Sequence, residues 1–151
     1  MNNNNNTKKA VKAVLVDIDG TLVTVTPNWS LARTSEWNTE TVQAEGLEGG
    51  IAMLRAFHMM GYKLVFLTSR GQSCKVYTWM KLRELRIDHM VDSMWHRPAK
   101  WDGIAPHEYK AMMITQLAKR FNIVWAMEDE DKNIDVMRAL GIHVIDAKVW
   151  H

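Results

Sequence analysis

The sequence predicts an α/β protein built on a doubly wound parallel sheet, and two observations predict it. Short apolar runs of strand length alternate with helical-period segments along most of the chain, the pattern of a parallel sheet with helices on both faces. At 151 residues, 47% of them hydrophobic and without an internal repeat, the chain is long enough for one domain with a sizeable core.

The elements follow in order. VKAVLV, residues 11–16, is a first strand that runs into the acidic turn DIDGT. Residues 24–50 are polar, with Pro27 and the anchors Trp29, Leu31 and Trp37, and read as an excursion that leaves the sheet and returns. IAMLRAFHMMG places Ile51, Leu54 and His58 on one helical face, with Met53, Phe57 and Met60 beside it and Gly61 as a stop. On that apolar face His58 is expected to be a hydrogen-bonded core residue. YKLVFL is a buried strand ending at TSRG, and SCKVYTWMKLRELR is a helix opened by Ser73 with Val76, Trp79 and Met80 inward. IDHMVDSM is a weaker strand, and WHRPAKWDGIAP reads as a loop. In HEYKAMMITQLAKRF, Met113, Ile114, Leu117 and Phe121 form the seam of an amphipathic helix, with Pro106 just ahead. NIVWAM is a strand, Asp131 is expected to cap the helix of IDVMRALG, and IHVIDA is the last strand.

Gross composition excludes little but bounds the setting. Net charge is +2, so bulk electrostatics neither demands nor forbids a polyanionic partner. Cys74 is the only cysteine, which rules out an intramolecular disulfide and points to a reducing compartment. No stretch is apolar enough to span a bilayer and the Asn-rich start is no signal peptide, so a cytoplasmic protein is expected. The expected organisation is a disordered tail over residues 1–9 and a single domain over residues 10–151. Nothing indicates an oligomer.

In such sheets ligands bind beyond the carboxyl ends of the strands. Asp17 and Asp19, then Thr68, Ser69 and Arg70, then Glu128 and Asp129 each follow a strand, so three clusters distant in sequence fall on one edge. Residues i and i+2 of a strand point the same way, which lets Asp17 and Asp19 face one site. Lys110 precedes Met113, Ile114 and Leu117 by three, four and seven residues, so it shares their buried seam, and it lies in the first helical turn where the dipole disfavours a cation. A lysine there needs an anion. Asp17, Asp19 and Asp129 cannot all stay charged without a cation, and oxygen ligands suit Mg²⁺ with a substrate phosphate. Gly20 permits a sharp turn whose amides can donate to an anion. The set describes phosphoryl-transfer chemistry.

DIDGTLV resembles motif I of the haloacid dehalogenase (HAD) superfamily, FLTSR its motif II, Lys110 its motif III lysine and MEDED its acidic motif IV, in the right order over nearly the whole chain after Thr7. The resemblance implies a Rossmann-like fold and a phosphatase working through an aspartyl-phosphate. It makes Asp17 the nucleophile and Asp19 the general acid and base. Thr68 and Lys110 would hold the phosphoryl oxygens, and Mg²⁺ would be bound by Asp17, Asp129 and the backbone carbonyl of Asp19, with Glu128 as support. Neither inter-motif gap has room for a full cap, so a capless, open site is expected.

GYKLVFLTSRG, WHRPAKWD and MEDEDKNIDVMRALGIHVI are similar to the phosphatase domain of phage-type polynucleotide kinase/3′-phosphatases. That similarity implies a phosphorylated nucleic acid end, with a 3′-phosphate removed, and makes Arg70 a contact to substrate. The sequence departs from that family in two ways: the arginine that those phosphatases carry shortly after motif I is missing from VTVTPNWSLAR, where Arg33 is the candidate substitute, and no kinase loop is present. Arg70, Lys75, Arg97 and Lys100, interleaved with Trp95 and Trp101, would form a basic, stacking side of the site, with Ser69, Gly20 and Arg97 as further phosphate contacts and His96 and His107 tuning binding. A phosphatase of nucleotides or other small metabolites, and a non-catalytic phosphate-binding module, are the alternatives.

Overall fold

A computed structural model describes residues 10–25 and 43–151. The expectations for the Asn-rich tail and for Pro27, Trp29, Leu31, Arg33 and Trp37 lie outside the described residues.

Five parallel strands form one sheet in the order β3-β2-β1-β4-β5, where β1 is Val11–Val16, β2 Lys63–Gly71, β3 Val91–Arg97, β4 Phe121–Glu128 and β5 His143–Asp146. The order reverses at β1, which pairs with β2 on one side and β4 on the other, so the crevice of a doubly wound sheet opens at the carboxyl end of β1. Helices α1 (Glu48–Met59) and α2 (Lys75–Glu84) cover one face, and α3 (Pro106–Leu117) and α4 (Asp131–Ala139) cover the other. Among the described residues, no helix is long and apolar enough to cross a membrane.

Alternation along each strand divides the core. Val14 and Val16 of β1, with Leu64 and Phe66 of β2, pack on Leu54, Phe57 and Leu82. Ala13, Leu15, Val65 and Leu67 pack on Tyr109, Met113, Ile114 and Leu117. Buried on both faces, the strands read as continuous apolar runs.

Four local expectations are corrected. His58 is exposed, its ring edge-on to that of His89 at 6.2 Å, because α1 turns Leu54 and Phe57 inward instead. In α2 the buried residues are Thr78, Lys81 and Leu82, while Val76 and Met80 are 67% and 56% exposed; Ser73 sits in a short 3₁₀ turn, and Cys74 holds the N-cap position of the helix. β3 begins after a 3₁₀ turn and continues through Trp95, His96 and Arg97, which had read as loop. Asp131 does not cap α4: Glu130 holds that position, and Asp131 pairs with Lys148 at 2.5 Å.

Candidate active site

Strand parity builds the site. Asp17 continues the Ala13–Leu15 face of β1, and Glu128 continues the Ala126 face of β4, so both point toward α3. Lys110, in α3, is 1% exposed and meets them, its Nζ donating to Asp17 Oδ1 at 2.8 Å and to Glu128 Oε2 at 2.6 Å. An ammonium has three donors, which leaves one for a substrate oxygen. Burial works against the Lys110 charge, but Asp17 and Glu128 outweigh it and raise its pKa. Thr21 donates to the other oxygen of Asp17 at 3.0 Å.

Glu128 Oε1 accepts from the amides of Asp129 and Glu130 at 3.1 and 3.2 Å, so its carboxylate folds the loop after β4 as well as pairing with Lys110. Oxygens of Asp17, Glu128 and Asp129 lie within 4.8 Å of one another. Burial and then the charge on Glu128 push Asp17 well above its ordinary carboxylate pKa, against the pull of Lys110, and raise Asp129 to about 6. A bound cation would favour the charged form that burial and mutual repulsion oppose, and hard oxygens converging from two loops fit a divalent metal. Glu128 already accepts three hydrogen bonds and Asp17 two, so Asp129 and Asp17 keep the greater acceptor capacity for it. Gly20, at φ +77°, completes the cradle: a Cβ there would lie 2.0 Å from Asp129 Oδ2.

A cleft of about 370 Å³ opens over these groups, lined among others by Asp17, Asp19, Ser69, His107, Lys110 and Lys132. Two substrate expectations change here. β2 runs on to Gly71 rather than stopping at Leu67, so its parity persists through the motif. Ser69 faces the cleft, with its buried hydroxyl unbonded, whereas the Thr68 hydroxyl accepts from the Arg70 amide at 3.1 Å and does not line the cleft. Arg70 turns the other way and is fully buried. Its Nε and Nη2 clamp both oxygens of Asp19 at 2.8 and 2.6 Å, and its Nη1 donates to Thr78 at 3.0 Å. The guanidinium orients Asp19 and does not reach the cleft. Arg97 is corrected likewise: it is 1% exposed, donates to the Ile104 carbonyl at 2.8 Å and lies 5.2 Å from the Tyr109 ring centre, bracing the loop ahead of α3. Trp95 and Trp101 are partly buried and pack against that same apolar layer, as anchors of the segment ahead of α3.

Residues 11–149 match the family described as "Polynucleotide kinase PNKP phosphatase domain". The chain belongs to that family. Its fold is that of HAD phosphatases. The structure titled "Structure of Pnkp1/Rnl/Hen1 complex" superposes with a TM-score of 0.74 at 21% identity, over 92% of this chain and 46% of that one. A class C acid phosphatase from Bacillus anthracis with tungstate bound gives 0.63 at 16% identity, over 93% and 67% of the two chains. A putative phosphatase from Clostridium difficile gives 0.62 at 15%, over 92% and 86%. The chain thus spans less than half the length of the chain it matches in that complex. No curated protein matches it in sequence.

This PNKP-family domain carries a polar layer that the sequence reading missed, on the α2 side of the sheet. Thr78 donates to the Cys74 carbonyl at 2.9 Å and accepts from Arg70, so the 3.1 Å contact with His96 Nε2 requires that nitrogen to be the donor. Burial, then Arg70 and Lys75, lower His96 to about 4. A histidine held neutral in the fold takes its proton sooner when unfolded, so its contribution is complete above pH 6.5 and is lost as pH falls toward 4. The loss is on the order of 3 kcal/mol. Asp17 and Asp129, with raised pKa, act in the opposite sense, so the difference between parent and His96→Gln isolates the term. Urea unfolding at pH 7 and pH 4.5 should show a smaller acid loss in His96→Gln; equal losses would remove this assignment.

Proposed function

We propose that the chain is a divalent-metal-dependent phosphomonoesterase that forms an aspartyl-phosphate on Asp17 and removes the terminal 3′-phosphate from polynucleotide ends. The observation that carries the chemistry is the Lys110 ammonium, 2.8 Å from Asp17 and fully buried with one donor left over, beside acids that fit a cation. Asp17 attacks phosphorus as the bond to the leaving oxygen breaks, and Asp19 supplies that oxygen's proton. Asp19 then takes a proton from the water that hydrolyses the phosphoenzyme. Lys110 and the Ser69 hydroxyl hold phosphoryl oxygens through both steps. A divalent ion, which Mg²⁺ suits, would be held by Asp17, Asp129 and the Asp19 carbonyl and would neutralise charge on the phosphoryl group.

Family membership supports the polynucleotide substrate, and the mouth of the cleft agrees with it. Lys132 and His107 line the side formed by α3 and α4, and neither has an ion pair among the described residues. A nucleic acid end brings its next phosphodiester to such a rim; a simple alkyl phosphate does not. Turnover with Mg²⁺ should be fastest on a 3′-phosphorylated oligonucleotide, at least about 10-fold in kcat/KM over the 5′-phosphorylated isomer and over mononucleotides, the equivalent of 1.4 kcal/mol. Equal or better turnover of mononucleotides would favour a small-metabolite phosphatase, and none on any substrate a binding module.

A further inference from the structure

We propose that residues 147–151 form a strap that positions the metal-binding carboxylate of Asp129, with His151 as its clasp; this rests on the reading of Asp129 as a metal ligand. Asp146, the last residue of β5, lies in register with Glu128, so the chain leaves the sheet beside the acidic end of β4. It then enters a 3₁₀ turn, Ala147–Trp150, whose Ala147 is fully buried. Trp150 lies against the first turn of α1. A Cβ at Gly49 would stand 2.3 Å from its Cδ1, and one at Gly50 would stand 3.4 Å from its Cε3 and 1.9 Å from the Thr21 carbonyl oxygen. Those two glycines let the indole, the helix start and the DIDGT turn close together.

The indole's seat delivers His151 to the site. Its Nε2 lies 2.6 Å from the Gly20 carbonyl oxygen, and because a carbonyl only accepts, that nitrogen carries the proton and donates. The same nitrogen lies 3.8 Å from Asp129 Oδ2. On its other side that carboxylate touches Gly20, where a Cβ would collide with it at 2.0 Å. Lys148 meanwhile donates to the backbone carbonyl of Asp129 at 3.2 Å, and is itself held by Asp131 and Asp146 at 2.5 and 2.9 Å. Asp129 is therefore held at its backbone by one strap residue and flanked at its carboxylate by another, both outside the cluster of Asp17, Lys110 and Glu128. Groups that orient a ligand in this way commonly matter 10- to 100-fold in metal affinity.

The test is Mn²⁺ binding to the whole chain without substrate, followed by electron paramagnetic resonance, beside urea unfolding of the metal-free chain. His151→Ala should raise the Mn²⁺ Kd about 10-fold and leave the metal-free unfolding midpoint where it was, since the side chain is half-exposed. His151→Gln, whose amide can still donate to the Gly20 carbonyl, should recover most of the affinity. Parent-like affinity in His151→Ala overturns the proposal, as does a loss that Gln does not rescue. A parent chain that binds no Mn²⁺ strikes down the metal reading itself, and the strap's role with it.

Discussion

Replacing Asp17 by Asn is expected to lower turnover roughly 10⁴-fold or more while leaving the metal-free fold at least as stable as the parent. The activity loss follows from chemistry: the amide has no anionic oxygen to attack phosphorus, and no other carboxylate can take its place. Glu128 is spent on Lys110 and two backbone amides, and Asp19 is clamped by Arg70. The stability claim follows from sign. The fold raises the pKa of Asp17, so it favours the neutral form, and Asn is a neutral side chain of the same shape. The amide oxygen can still accept from Lys110, and like-charge repulsion with Glu128 and Asp129 disappears. Added Mg²⁺ should raise the melting temperature of the parent and do so less for Asp17→Asn, because a metal stabilises only in proportion to its affinity for the folded chain. Kinetics under excess substrate, with thermal unfolding in chelator and in Mg²⁺, check both halves. Turnover within 10-fold of the parent would remove Asp17 as nucleophile.

The contrast between Lys110 and Arg70 shows which kind of inference a sequence carries. Lys110 was legible because helical periodicity ties it to Met113, Ile114 and Leu117, and because a cation on a buried seam must have an anion; both arguments are local. Asp17 and Glu128 were legible as strand-end acids. For Arg70 the same reasoning stopped one step early. With the strand ended at Leu67, Thr68, Ser69 and Arg70 became one loop able to turn any residue toward substrate. In fact β2 continues to Gly71, and alternation sends Ser69 to the cleft but Arg70 to the opposite layer. Arg97 failed in the same way, since β3 outlasts its apolar stretch. Once Arg70 points there, the polar face of α2 has a reason to be inward: Thr78 accepts from the guanidinium, His96 bonds to Thr78 in turn, and Val76 and Met80 are turned out. An apolar pattern cannot signal that inversion. Thr21 and His151 had no pattern at all, because each touches the site through a contact that only the folded turn creates.

Arg70→Ala should therefore behave as a stability variant with a severe catalytic defect, and not as a substrate-binding variant. It leaves the Asp19 carboxylate, 6% exposed, without the two donors that compensate its burial, and it strips Thr78 of a partner. Removing one member of a buried ion pair typically costs about 3–5 kcal/mol, and this pair is bidentate. Asp19→Asn should lose less than Arg70→Ala, because an amide can still accept one guanidinium donor. The double variant should be more stable than the sum of the two losses predicts, since no stranded charge remains. In turnover, the folded fraction of Arg70→Ala should fall by roughly 10²-fold, a typical loss for a disabled proton-transfer group. The factor should be the same on a 3′-phosphorylated oligonucleotide as on a small alkyl phosphate of equally basic leaving group. Arg70→Lys, with a single ammonium for a planar fork, should lie between parent and Ala on both measures. Urea unfolding of the parent and the four variants, with kcat/KM on the two substrates, decides the matter. A parent-like unfolding midpoint with a loss confined to the oligonucleotide would put Arg70 on the substrate after all, and would mean that the Asp19 clamp opens when a nucleic acid end arrives.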